Sequence, residues 1–317
     1  MLSRVAERMY WFGRYMERIE NTAHLININS ELLLDLPKVN KVIWSGLIDI
    51  TGTNESFYEK HTNADERNVI RFMLANEKNP SSILSATRMV KENARITREI
   101  MPSEAWEQIN EFNIYVKQNV DNALKRDNRH EFLDDVVHYC HQTTGLLLSN
   151  MSHGTAYNFI RIGRNVERAD MTTRITDIGC MALLSGHDDI PETYGNILWM
   201  HVLRSLNAYQ MYRQHVHDRV NGEDVVDFLM RDIEFPRAIA HCLEGLSFCI
   251  QKLPHNDHAL RIISRVQRMI NEMDSSKLIE SQLHEFIDEL QIDLAEIHRQ
   301  VSSTWFDYSD IVSEQEQ

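Results

Sequence analysis

The chain has 317 residues, 43% of them hydrophobic, and a formal net charge of −14. The acidic balance argues against nucleic acid as the main partner, because phosphate binding needs a basic footprint. No stretch reaches the roughly 18 apolar residues of a membrane span, so no transmembrane segment is expected, while the hydrophobic content suffices for a core at this length.

The first eight residues, Met1 to Arg8, carry charges where a signal peptide needs an apolar run. Only 11 glycines and 6 prolines interrupt the chain, so long segments run without a helix breaker. The pattern predicts helices over 3–35, 39–59, 64–76, 81–101, 104–126 and 130–151. A second set follows over 156–185, 192–220, 223–231, 237–252, 257–273 and 276–305. Asn79-Pro80-Ser81 reads as an N-cap followed by proline at the first helical position. Met101-Pro102-Ser103-Glu104 ends one helix and caps the next, and Asn221-Gly222-Glu223 marks another break. No run of alternating β-branched residues suggests a sheet. In the first helix Phe12, Met16, Ile19, Ala23 and Ile26 form one apolar stripe, matched in the seventh by Ile162, Val166, Ala169, Thr173 and Thr176.

Those two stripes belong to a longer likeness between the halves. Gly13-Arg14-x-x-Glu17-Arg18-x-Glu20-x-Thr22 returns 150 positions later as Gly163-Arg164-x-x-Glu167-Arg168-x-Asp170-x-Thr172. Pro37, Pro80 and Pro102 pair with Pro191, Pro236 and Pro254, and Trp44 pairs with Trp199. His130-Glu131-Phe132-Leu133-Asp134 pairs with His284-Glu285-Phe286-Ile287-Asp288. A long internal period is the mark of repeated supersecondary units. The expected fold is therefore an all-α helical bundle of two pseudo-symmetric repeats of about six helices each. Residues 1–152 and 153–317 are the two copies, packed as one globular unit, and the second ends in an acidic tail. From Glu285 to Gln317 there are nine Asp or Glu residues and one Arg, Arg299.

The duplicated cluster is the candidate site: Arg14, Glu17, Arg18 and Glu20 with Arg164, Glu167, Arg168 and Asp170. At about 100° per residue, Arg14, Glu17 and Arg18 lie roughly opposite the Phe12 stripe, and Arg14 and Glu17 are close enough to pair within the helix. Glycine at 13 and 163 costs each helix about 1 kcal/mol relative to alanine, which suggests close backbone approach by another helix or a ligand. One reading is an interhelical network in which Glu17 meets Arg168 or Arg164 and Glu167 meets Arg18 or Arg14. Another uses the arginines as bidentate forks for an anionic or amino-acid-like group. A third makes Glu17 or Glu167 a general base with a raised pKa in a pocket between the copies.

Sharper motifs fail. His130-Glu131 and His284-Glu285 open H-E-x-x-D rather than the H-E-x-x-H of zinc proteases. Asp135, His138 and His141 place possible ligands on one helix, but the position matching His138 is Ile292, so no metal and no cofactor is expected. Nucleotide-binding and hydrolase fingerprints are absent. Cys140, Cys180, Cys242 and Cys249 show no C-x-x-C spacing, and their small number fits a reduced, cytoplasmic setting.

The opening Met1-Leu2-Ser3-Arg4-Val5-Ala6-Glu7-Arg8-Met9-Tyr10-Trp11-Phe12-Gly13-Arg14-Tyr15-Met16-Glu17-Arg18 resembles the bacterial alpha-E family, an all-helical family named for its Glu-Arg motif. The likeness covers essentially the whole chain, including Asn79-Pro80-Ser81-Ser82, Glu92-Asn93-Ala94-Arg95 and the second Glu167-Arg168 motif. His24 and Ser81 stand where the family tends to carry arginine, while the second half has Arg174 and Arg237. The resemblance implies an association, sometimes by fusion, with ATP-grasp-like ligases and transglutaminase-like proteins. The implied setting is synthesis or processing of small peptides or amide-linked metabolites. It brings no catalytic assignment: the implied role is a binding or scaffold protein, with an amino acid or amine as possible ligand. An enzyme in its own right and a metal-binding bundle are the alternatives.

Overall fold

The structure is a computed structural model and describes residues 3–35, 40–184 and 192–306. It is all-helical, with no strand among the described residues. Two long helices, α1 (Ser3–Asp35) and α8 (Thr155–Leu184), cross at the centre. Between them run α2 (Asn40–Thr51), α3 (Asn54–Tyr58), α4 (Glu66–Ala75), α5 (Ile83–Ile96), α6 (Ser103–Ala123) and α7 (Arg126–Asn150). After α8 come α9 (Glu192–Ser205), α10 (Tyr209–His215), α11 (Gly222–Arg231), α12 (Ile239–Ile250) and α13 (Asp257–Glu272). The chain then passes through α14 (Ser275–Lys277) and a π turn, Leu278–Gln282, into α15 (Leu283–Trp305).

Packing explains why α1 and α8 are buried around most of their circumference. α5 and α7 lie on α1, α12 and α15 lie on α8, and α2 and α9 each touch both central helices. Phe12, Met16, Ile19, Ala23 and Ile26 are all buried, as are Ile162, Val166, Ala169, Thr173 and Thr176. The polar end of the second stripe is accommodated because its hydroxyls turn back on the helix: Thr173 and Thr176 donate to the Asp170 and Thr172 carbonyls at 2.7 and 2.8 Å.

Several expected helices end sooner or break. The 39–59 segment divides at Gly52, whose φ of +63° favours glycine and stops α2. The 192–220 segment divides at Asn207, with φ of 52°, and ends at His215. The 81–101 segment is α5 plus a short 3₁₀ turn, Arg98–Ile100. Its N-cap is Ser82, whose hydroxyl accepts from the Ser85 amide at 3.2 Å, rather than Asn79. Asn79 instead closes an Asx turn onto the Ser81 amide at 2.9 Å and ties back to the Phe72 carbonyl. Likewise α6 follows Pro102 without a side-chain cap. Asn221 does cap α11 through the Asp224 amide, at 2.9 Å. Pro37, Pro191 and the acidic residues after Phe306 lie outside the described residues. Cys140, Cys242 and Cys249 are buried and free.

Candidate functional site

Gly13 and Gly163 set the geometry of the central crossing. A β-carbon at 13 would collide with the Ile160 carbonyl oxygen and stand 3.1 Å from the Arg164 amide nitrogen. One at 163 would collide with the Tyr10 carbonyl oxygen and stand 3.2 Å from the Arg14 nitrogen. Backbone-to-backbone contact at this point brings the next turn of each helix within reach of the other's long side chains.

The result is a set of crossed ion pairs. The Glu17 carboxylate accepts from Arg168 Nε at 2.9 Å and Arg168 Nη2 at 2.7 Å, and from Arg164 Nε at 3.3 Å. Glu167 accepts from Arg14 Nε, and from Arg18 Nε and Nη2 at 2.5 and 2.9 Å. Arg14 and Glu17 do not pair within their helix, as their spacing would allow; each reaches across the crossing because the partner helix offers a desolvated fork there. Glu17 and Glu167 are each only 2% exposed, so these are interior ion pairs and not surface decoration.

A third guanidinium on Glu17 comes from the turn before α12. Arg237 Nη1 donates to Glu17 Oε1 at 3.0 Å and to Asn21 Oδ1, and its Nη2 donates to Glu20 Oε1 at 2.6 Å. The turn is held in place by α8: Thr172 donates to the Arg237 carbonyl at 2.9 Å, and Arg168 reaches the Pro236 carbonyl at 3.4 Å. Glu20 is thus buried against Arg237, with His141 Nε2 at 3.4 Å. Asp170 is placed differently. It is half-buried and binds Arg174 one turn along its own helix, at 3.0 Å. Arg237 is fully committed to Glu17, Glu20 and Asn21, and so is not a free anion-binding fork. His24 meets the Asn207 amide at 2.9 Å.

Sequence reasoning missed the aromatic side of the cluster. Tyr10 is fully buried; its hydroxyl accepts from Arg14 Nη1 at 2.9 Å and is hydrogen-bonded to His298 Nδ1 at 2.7 Å. The only local signal was that Tyr10 precedes Arg14 by four residues, one helical turn; His298 is 288 residues away.

The electrostatics follow from burial and pairing. Burial alone would raise the Glu17 carboxyl, but Arg168, Arg237 and Arg164 outweigh it and hold it below the usual carboxylate range. Burial opposes ionisation of Glu167 as well, and Arg14 and Arg18 bring it down to about 2. Burial, with Arg14 nearby, lowers His298 to about 4, so the ring is neutral at neutral pH. Both glutamates are therefore fixed anions at neutral pH. A general base works best with a pKa near the operating pH, and the shift here has the opposite sign from the raised one that role requires.

Asp135, His138 and His141 do not converge: Asp135 accepts from the Tyr115 hydroxyl at 2.6 Å, His138 is exposed, and His141 faces Glu20. Ligand atoms of Glu20, His24 and His141 do lie within 4.8 Å of one another. Arg237, 2.6 Å from Glu20, already supplies the positive charge that a cation would bring.

The profile of Alpha-E, described as a predicted alpha-helical domain with a conserved ER motif, matches residues 1–306. The chain belongs to the Alpha-E family. Glu17-Arg18 and Glu167-Arg168 are two of the chain's four Glu-Arg pairs, and in this Alpha-E protein each of these two glutamates binds arginines of the other central helix. The chain is also similar to uncharacterized proteins of Mycobacterium bovis and of two strains of Mycobacterium tuberculosis. Each is 22% identical over 347 residues, covering 98% of this chain and 36% of the relative. This Alpha-E chain thus spans about a third of the length of the curated relatives it matches. No solved structure matches it. No described helix is long and apolar enough to cross a membrane.

Proposed function

We propose that this chain is a non-catalytic binding or scaffold unit that works beside an ATP-grasp-type amide ligase or a transglutaminase-like partner. It is built as a doubled bundle, residues 1–152 and 153–317, around a pseudo-two-fold axis at the Gly13–Gly163 crossing. Reciprocal glycine contacts and reciprocal Glu-to-Arg pairing support the doubling. The observation that carries the non-catalytic reading is that Glu17 and Glu167 are saturated by arginine and held ionised. Groups so engaged lock two long helices together and are poor proton acceptors.

The partner class comes from the family resemblance. The length of the mycobacterial relatives is in keeping with a module that operates within larger chains. The contact face is the rim of the cluster, where the Arg164 side chain is 35% exposed and makes one weak bond to Glu17. A carboxylate of the ligase, or of its amino-acid substrate, fits that guanidinium. The test is affinity capture of the tagged chain from its native host, followed by mass spectrometry and an amide-ligation assay. The expected result is an enriched ATP-grasp or transglutaminase-like protein whose activity requires this chain and falls with Arg164→Ala. Turnover by the isolated chain, lost in Glu17→Gln while the fold persists, would overturn the proposal.

A further inference from the structure

The H-E-x-x-D sequences left unused by the central cluster lead to a second site. His284 and Asp288 are four apart on α15 and share a face, the placement by which paired ligands on a helix grip a metal. Asp177 on α8 completes the group, with His284 Nδ1 at 2.7 Å from Asp177 Oδ1 and His284 Nε2 at 3.7 Å from Asp288 Oδ2. One ligand atom from each of the three lies within 4.8 Å of the others. The side chain of Asp177 is only 15% exposed.

The first half holds the same frame with one atom changed. Asn27 stands 150 residues before Asp177, the spacing that also separates Glu17 from Glu167. His130 and Asp134 stand 154 before His284 and Asp288. There the set closes on itself: the Asn27 amide donates to Asp134 at 2.9 Å, while its oxygen faces His130 Nδ1 at 3.3 Å. Replacing that amide by a carboxylate removes the donor and adds a negative charge. In the second half the half-buried Asp177 has no such donor, and the acidic neighbours Asp288 and Glu285 add to the negative field around His284. Among the described residues no arginine is bonded to this group, in contrast to Glu20 and Arg237. A π turn, Leu278–Gln282, leads directly into the segment, a rare geometry that frequently occurs at functional sites.

We propose that Asp177, His284 and Asp288 form a three-ligand site for a divalent first-row cation, best matched by zinc. One imidazole and two carboxylates from two facing helices are a donor set that suits zinc, and three protein ligands leave a coordination position for water or for a group on a bound partner. Binding requires the ligating imidazole nitrogen to be free of its proton, and the cation neutralises the two carboxylates.

The test titrates the full chain, stripped of metal by dialysis against a chelator, with zinc chloride by calorimetry at pH 7.5. Wild type and Asp177→Asn, which rebuilds the Asn–His–Asp set of the first half, are compared. Melting of both metal-free chains checks that the variant folds. The expected result is one saturable event per wild-type chain, weakened at least about 100-fold in Asp177→Asn, together with a zinc-dependent rise in the melting midpoint of wild type alone. A wild-type chain without a one-to-one event, or an Asp177→Asn chain that titrates like wild type, would overturn the assignment.

Discussion

Glu17 and Arg168 face each other across two helices through two parallel hydrogen bonds, 2.9 and 2.7 Å long. That fork is one of two buried links between α1 and α8 beyond the glycines, the other being Glu167 with Arg14 and Arg18, and Arg164 and Arg237 share the Glu17 carboxylate. In Glu17→Gln, three buried or half-buried guanidiniums lose their common counter-ion. Breaking a buried pair by removing one partner typically costs about 3–5 kcal/mol. Urea unfolding of Glu17→Gln is expected to show a loss of that order, with helical content of the folded form unchanged.

The glycines make a prediction whose sign separates two effects. Alanine is the better helix former by about 1 kcal/mol, so Gly163→Ala would stabilise an isolated helix. Here its β-carbon meets the Tyr10 carbonyl, a backbone atom that can yield only if the helices separate. Overpacking of this kind costs about 1–3 kcal/mol, and separation also lengthens the ion pairs beyond it. Gly163→Ala and Gly13→Ala are expected to lower the melting midpoint. Gly145 supplies the control: it lies inside α7 with nothing within 4 Å of a β-carbon, so Gly145→Ala should raise the midpoint.

Acid stability should fall in two stages. His24, His201 and His298 are lowered by burial to about 4 from an ordinary 6.5. The unfolded chain therefore takes up protons first, and stability drops as pH falls from about 6.5 to 4. Glu167, at about 2 against an ordinary 4.5, contributes stability that is complete above 4.5 and is lost as pH falls toward 2. Urea midpoints measured from pH 7 to 2 should show both declines. Glu167→Gln, though less stable overall, should show a shallower second decline, since one of the carboxyls that titrate there is gone.

The pairing of Glu17 with Arg164 and Arg168, and of Glu167 with Arg14 and Arg18, is legible in the sequence for a physical reason. Glycine in the middle of a long helix signals backbone contact, and charged residues one turn beyond it have nowhere to go but across. The apolar stripes are legible for the same kind of reason, since 3.6-residue periodicity survives in any long helix. What the sequence hides is whatever depends on a loop or on distant packing. The position of Arg237 is set by a turn that Thr172 and Arg168 anchor. Tyr10 and His298 meet only because α15 lies across α8 and α1. The breaks at Gly52 and Asn207 need left-handed backbone conformations, which apolar periodicity does not encode.

Arg237 offers the sharpest test of how the cluster is apportioned. Glu17 has two other arginines, whereas Glu20 has Arg237 at 2.6 Å and His141 at 3.4 Å. Arg237→Ser, the residue found at the matching position 81, should therefore injure Glu20 more than Glu17. Each single change, Arg237→Ser or Glu20→Gln, strands a buried partner and should destabilise the chain by a few kcal/mol. Once Arg237 is gone, removing the Glu20 charge relieves an unpaired anion, so the double variant should lose less than the two single losses combined. A coupling of about 1–3 kcal/mol in a double-mutant cycle is the expected outcome, and strict additivity would assign Glu20 to His141 instead.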